Sequence, residues 1–239
     1  MLAVDLSQSM RALDYVRDNQ QVDRLDVVKS VVEDFVAQRK GDRIGLILFG
    51  SNAYLHVPLT RDVSSVQKML DNAQAGEAGD QTAIGDAIGM AVGNLRNRPE
   101  KSRVIILLTD GGDNASTIPP LQAAALAHEY GIRIYTIGVG TRGLVSIPDQ
   151  SGAVVMAQFE LDEALLRKIA AATGGSYFRA GDTNALRQVY AQINSLEKTR
   201  ADSRVYLIYK PLYRYPLGAA MALLLALSVL PMLGKRYRV

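Results

Sequence analysis

The chain reads as an α/β protein with a doubly wound, mostly parallel central sheet and helices on both faces, continued by a C-terminal transmembrane helix. Three observations predict this. Aliphatic and β-branched runs alternate with segments whose apolar residues recur at helical spacing along most of the 239 residues. One run, Arg103 to Leu108, is unbroken after its arginine, which is how a parallel strand covered on both faces reads. Near the end, Leu217 to Leu233 carries no charge.

The elements follow in order. Leu2-Ala3-Val4 is a first strand so short that a truncated start or a misplaced initiation codon is expected, with no signal peptide ahead of it. Val22 to Gln38 places Val27, Val28, Val31, Val32, Phe35 and Val36 on one helical face, with Asp23 as its cap. Ile44 to Phe49 is a strand, and Ala53 to Leu59 an antiparallel or edge strand. Val63 to Leu70 and Thr82 to Leu95 are helices, the second entered through a flexible Gly76 to Gly79 loop. After the buried Arg103 to Leu108 strand come a helix from Pro119 to Tyr130 and a strand from Gly131 to Ile137. Leu161 to Thr173 is a helix, Ser176 to Arg179 a short strand, and Thr183 to Leu196 a helix. In such sheets ligands sit beyond the carboxyl ends of the strands, where strand order reverses.

Chemistry gathers at that edge. Asp5-Leu6-Ser7-Gln8-Ser9 puts a carboxylate and two hydroxyls on one loop leaving a strand. These are hard oxygen donors of the kind magnesium and calcium take, although the same residues also serve as turn formers and helix caps. Thr82 stands at a helix start after a glycine-rich loop, where its hydroxyl can cap or bind a metal. Asp110 leaves the buried strand at the same edge as Asp5, within Thr109-Asp110-Gly111-Gly112-Asp113-Asn114.

That ordered three-part set resembles the metal-ion-dependent adhesion site of von Willebrand factor A domains. Asp5, Ser7 and Ser9 match its first motif, Thr82 its second and Asp110 its third. Gln8 stands where a glycine is common, at a position that is not a ligand. Arg39 to Gly50, Pro58-Leu59-Thr60, Thr82 to Ile88, and Thr173 to Phe178 on to Leu196-Glu197-Lys198-Thr199 are similar to the bacterial Bat, or aerotolerance, membrane proteins. The resemblance covers essentially the whole chain. It implies a bound Mg²⁺, or Mn²⁺ or Ca²⁺, held by Asp5, Ser7, Ser9, Thr82 and Asp110, with an open position for the Asp or Glu of a protein partner. It further implies a binding module and not an enzyme, placed at the cell membrane with a MoxR-type ATPase and sister membrane proteins of the same domain type. Membrane helices usually precede the domain in that family.

Composition is consistent with this reading. Forty-eight per cent hydrophobic residues suffice for one full α/β core. The absence of cysteine excludes disulfides, thiol catalysis and zinc–thiolate sites. From Lys198 onward eight Lys or Arg face only Asp202, a net +7; the whole-chain +3 therefore leaves −4 on residues 1–197. A mildly acidic body is a poor match for nucleic acid. The expected organisation is a domain over 1–197, a basic juxtamembrane linker over 198–215, a transmembrane helix over 216–234 and a basic tail over 235–239. The uncharged stretch Leu217 to Leu233 is about 25 Å long as a helix. Tyr213, Tyr215 and Tyr237 are its interface anchors, and basic residues on both flanks leave its orientation open.

Other features point elsewhere. Gly138-Val139-Gly140-Thr141-Arg142-Gly143 satisfies the dinucleotide fingerprint, but no helical pattern follows, so a turn leading to a hairpin through Gly152 is expected. A haloacid-dehalogenase-type phosphotransferase is the enzyme alternative; Ser7 stands where that chemistry needs a second carboxylate. His56 and His128 lack ligand spacing. Asp86 suits the helix dipole, and Asp113 reads as a turn residue, with support of the third loop as the alternative.

Overall fold

The structure is a computed structural model that describes residues 1–17, 20–39, 41–99, 102–141, 143–148, 153–158, 161–196, 215–221 and 223–224. It divides into two units, 1–200 and 201–239.

In the first unit the chain runs β1 (Leu2–Asp5), a 3₁₀ turn (Gln8–Arg11), β2 (Tyr15–Arg17), β3 (Gln20–Val22), α1 (Arg24–Ala37), β4 (Ile44–Phe49) and β5 (Ala53–Thr60). It continues through α2 (Val63–Asn72), α3 (Ile84–Leu95), β6 (Val104–Thr109), α4 (Pro120–Glu129) and β7 (Arg133–Val139). Last come β8 (Leu144–Pro148), β9 (Val154–Gln158), α5 (Glu163–Ala172), β10 (Tyr177–Ala180) and α6 (Thr183–Leu196).

Six strands form the main sheet in the order β10-β7-β6-β1-β4-β5. All neighbours are parallel except β4 and β5, so the strand expected at the antiparallel edge is there. Alternation across the pleat builds a core on each face. Leu2, Val4, Leu46, Leu48, Ile106 and Leu108 pack with α1, α2 and α6 residues such as Val28, Val66 and Leu186. Ala3, Ile47, Phe49, Ile105 and Leu107 pack with α3, α4 and α5 residues such as Ile88, Ala124 and Ile169. Being covered on both faces, β6 needs no polar alternation, and truncating Leu107 to Ala is worth about 2–5 kcal/mol.

The periodic helices form where their apolar faces are. All six residues of the α1 stripe are buried, and Asp23 accepts the Asp26 amide at 2.6 Å as its cap. The β8–β9 hairpin stands where a hairpin was expected, pairing Pro148 with Val154. Two small features differ from the sequence reading. Tyr15–Arg17 and Gln20–Val22 pair antiparallel as the β2–β3 ribbon, whose strands of three residues each are too short to show alternation. Helix α3 starts at Ile84 rather than Thr82, because Thr82 is held in a loop by its backbone.

In the second unit, residues 215–221 and 223–224 are helical. Among the described residues no helix is long and apolar enough to cross a membrane. Most of the span expected over 216–234 lies outside the described residues, as do the tail over 235–239 and all of the linker over 198–215 except Tyr215.

Candidate metal centre

From β1 the chain moves to β4 and β5 on one side of the sheet, then to β6, β7 and β10 on the other. The reversal therefore falls between β1 and β6, and the gap at their carboxyl ends is the natural site of a doubly wound sheet. Register fixes what lies there. Val4 pairs with Leu108, so Asp5 comes level with Thr109, and Asp110 is the first residue off β6.

The first loop folds over this gap. The Ser7 amide donates to Asp5 Oδ1 at 2.8 Å, while Thr109 Oγ1 donates to Asp5 Oδ2 at 2.6 Å. Ser7 Oγ and Ser9 Oγ share a hydrogen bond of 3.0 Å, and Ser9 Oγ donates to Asp110 Oδ1 at 2.6 Å. A continuous string of oxygens thus links the first and third loops across roughly a hundred residues of sequence. Thr82 joins through its backbone. Its amide donates to Asn114 Oδ1 at 2.8 Å, and its carbonyl accepts from the Asn114 and Ala115 amides at 3.0 and 3.2 Å. A Cβ built on Gly111 would stand 3.7 Å from Thr82 Oγ1, which puts that hydroxyl beside the third loop. Within the described residues it makes no hydrogen bond, although Thr82 is only 4% exposed. Asp5, Ser7, Ser9 and Asp110 are likewise 0, 1, 8 and 1% exposed.

Burying two carboxylates this close has an electrostatic cost. Burial first, and the Asp110 charge second, push the Asp5 carboxyl up to about 7, against the hydrogen bonds from Thr109 and Ser7. Burial also raises Asp110, while Arg24 and Ser9 oppose it.

Arg24 is the functional residue the sequence reading missed. It opens α1 and is 1% exposed. Its Nη1 donates to Asp110 Oδ2 at 2.6 Å; Nε and Nη2 fork onto Asp14 at 3.0 and 2.6 Å. Asp14 also accepts the Thr141 amide and hydroxyl at 2.8 and 2.9 Å. Burial alone would raise the Asp14 carboxyl, yet these donors outweigh it and hold it below the usual range. A signal was present: positions 24, 27, 28, 31, 32 and 35 form one stripe, so an arginine at its head lies on the buried face.

Within the glycine fingerprint, Gly140 makes room for this clamp. Gly140, at φ +99°, would place a Cβ 2.6 Å from Arg24 Cζ, and β8 follows instead of a helix. Asp113 is not merely a turn residue: its Oδ1 accepts the Ile84 amide at 2.8 Å and caps α3 from the third loop. Asp86 accepts the Thr117 and Ile118 amides at 3.0 and 2.8 Å, fixing the approach to α4.

Among the described residues no three His, Cys, Asp or Glu side chains come together. Any cation bound here therefore needs hydroxyl ligands, and this cluster supplies them. Two carboxylates and three hydroxyls suit a hard divalent ion, and the Thr82 hydroxyl, without a partner of its own, fits that use. A cleft of about 550 Å³ opens beside it, lined by Arg24, Asp110, Thr141, Leu161, Glu163 and Arg179 among others.

The buried carboxylates and hydroxyls thus lie at the switch point, where ligands sit in doubly wound sheets. The chain belongs to the von Willebrand factor type A domain family, whose model matches residues 1–192. A "UPF0353 protein" of Mycolicibacterium paratuberculosis is 30% identical over 248 residues, covering 96% of this chain and 68% of its own. The crystal structure of BatB from Bacteroides thetaiotaomicron is 28% identical and covers 83% of this chain and 98% of its own, at a TM-score of 0.68. That of an aerotolerance-related membrane protein from Bacteroides fragilis is also 28% identical, covering 81% and 97%, at 0.66. The chain spans about two thirds of the length of the curated relatives it matches, 66% of one and 68% of another.

Proposed function

We propose that this chain binds a divalent cation, Mg²⁺ or in its place Mn²⁺ or Ca²⁺, through Asp5, Ser7, Ser9, Thr82 and Asp110, and uses it to engage an acidic residue of a protein partner. The observation that carries the reading is the buried Ser7–Ser9–Asp110 string at the β1–β6 switch point, with the Thr82 hydroxyl beside it. When bound, the ion supplies a positive centre with a coordination position left for an outside oxygen. Ser7, Ser9 and Thr82 offer neutral oxygens, so at most two charges from Asp5 and Asp110 offset it. A partner's Asp or Glu completes the balance. The phosphotransferase alternative is weaker, because Ser7 and not a carboxylate stands two residues after Asp5.

The wider setting follows from the Bat resemblance and the relatives' membrane descriptions. It includes a C-terminal span over 216–234, a place in the cell membrane, sister membrane proteins, and a MoxR-type ATPase as the linked partner. Titrating the full chain with Mg²⁺ or Mn²⁺ in a calorimeter tests the core of it. Binding is expected for the native chain and loss for Asp5→Ala and Ser7→Ala with the far-UV spectrum intact; unchanged affinity in both variants would refute the site. A pull-down from membranes with and without EDTA tests the partner, which must be lost on chelation.

A further inference from the structure

We infer that Arg24 is an internal competitor for Asp110 that weakens cation binding at the site. The inference rests on the metal-binding reading above and adds the residue that tunes it.

A buried guanidinium persists only with carboxylates around it. Among the described residues Asp14 and Asp110 pair with Arg24, and they are held unequally. Asp14 is fixed by the Nε and Nη2 fork and, from the opposite side, by the Thr141 amide and hydroxyl. Asp110 meets Arg24 through Nη1 on Oδ2 and meets the hydroxyl string through its other oxygen, Oδ1 to Ser9. Asp110 is therefore shared between a resident cation and the cluster where an incoming one would lie. Gly140 keeps the guanidinium in that place, since any Cβ there would overlap it.

Charge arithmetic gives the consequence. Asp5, Asp110 and Asp14 bring −3, and Arg24 returns +1 in direct contact with both Asp110 and Asp14. A divalent ion then enters a set of groups of net −2, where without Arg24 it would enter one of net −3, and it must share Asp110 with a cation already bound to it. Fixed like charge in a water-poor site acts strongly on affinity. If Arg24 were only a structural clamp, its loss would lower stability and leave cation affinity alone.

Mn²⁺ titration of the full chain, read by the free-ion electron paramagnetic resonance signal, separates these cases. Arg24→Gln removes the charge and is expected to bind Mn²⁺ about tenfold or more tightly, while Arg24→Lys stays within about twofold of the native chain. Asp14→Asn, which turns Arg24 wholly toward Asp110 and removes a nearby negative charge, is expected to bind about threefold or more weakly. These opposite signs are not produced by general loosening. Unchanged or weaker binding in Arg24→Gln, with the native chain binding normally, overturns the inference alone. Should Arg24→Gln fail to fold, unchanged or tighter binding in Asp14→Asn overturns it. Absence of Mn²⁺ binding in the native chain overturns the metal reading itself, and this inference with it.

Discussion

Replacing Gly140 by alanine tests the Arg24 clamp from outside the metal cluster. Two effects add. At φ +99° an L side chain is strained, which costs about 1–2 kcal/mol. The new Cβ would also lie 2.6 Å from Arg24 Cζ, 2.7 Å from Nε and 2.9 Å from Nη2, all far inside van der Waals contact. A guanidinium tip normally swings away at little cost. Here it is pinned by Asp14 and Asp110, so moving it uncouples a buried ion pair, an effect of about 3–5 kcal/mol when complete. The expected loss for Gly140→Ala is then about 4–7 kcal/mol when the pair is fully uncoupled, measured as the shift in urea midpoint at constant m-value. Gly174→Ala is the control, since that glycine is also at positive φ, +70°, but meets nothing within 4 Å. It should lose only the backbone share, about 1–2 kcal/mol. Equal losses in the two variants would refute the claim that Gly140 exists to make room for Arg24. A full-sized loss for Gly140→Ala in an Arg24→Gln background would refute it independently.

Two further outcomes are expected. Burial and the Asp110 charge push the Asp5 carboxyl up to about 7, so the folded state holds its proton more tightly than the unfolded chain. The Asp5 contribution to the stability of the metal-free chain is therefore full below about pH 4 and is lost as pH rises to about 7, by about 4 kcal/mol. Denaturation in EDTA between pH 4 and 8 should show this fall and Asp5→Asn should abolish it; a native profile that rises over that range would contradict the assignment. Asp113→Ala removes the borrowed cap of α3 and should cost about 1 kcal/mol in the same assay, whereas Thr82→Ala, which removes no cap, should cost less.

The fold was legible because its signals are local. The β6 run, the α1 stripe with its Asp23 cap, the edge position of β5 and the hairpin at 144–158 each declare themselves within a few residues. The five oxygen-bearing residues were legible as a pattern of spacing. What could not be read was set by contacts across long stretches of chain. Thr109 supports Asp5 from 104 residues away, and Asp14 meets Thr141 across 127. Arg24 lay in plain sight on a buried stripe, but its partners come from the loop after the 3₁₀ turn and from the end of β6, which only the sheet order brings together.

The start of α3 shows how such contacts redirect a local preference toward function. A threonine before a helix ordinarily uses its hydroxyl on the first free amides. In this chain those amides are satisfied from elsewhere: Ile84 by Asp113, and Gly85 by Ser116 Oγ at 2.7 Å, with Ser116 itself donating to Asp113. Asn114 takes the Thr82 amide as well. The third loop therefore does for α3 what Thr82 would have done, and the Thr82 hydroxyl is left with no structural duty among the described residues. A hydroxyl relieved of capping by a neighbouring loop, on a residue only 4% exposed, is free for the ligand role proposed above. The same loop carries Asp110, so one segment both supplies a carboxylate and releases the hydroxyl, which binds the two motifs into a single site.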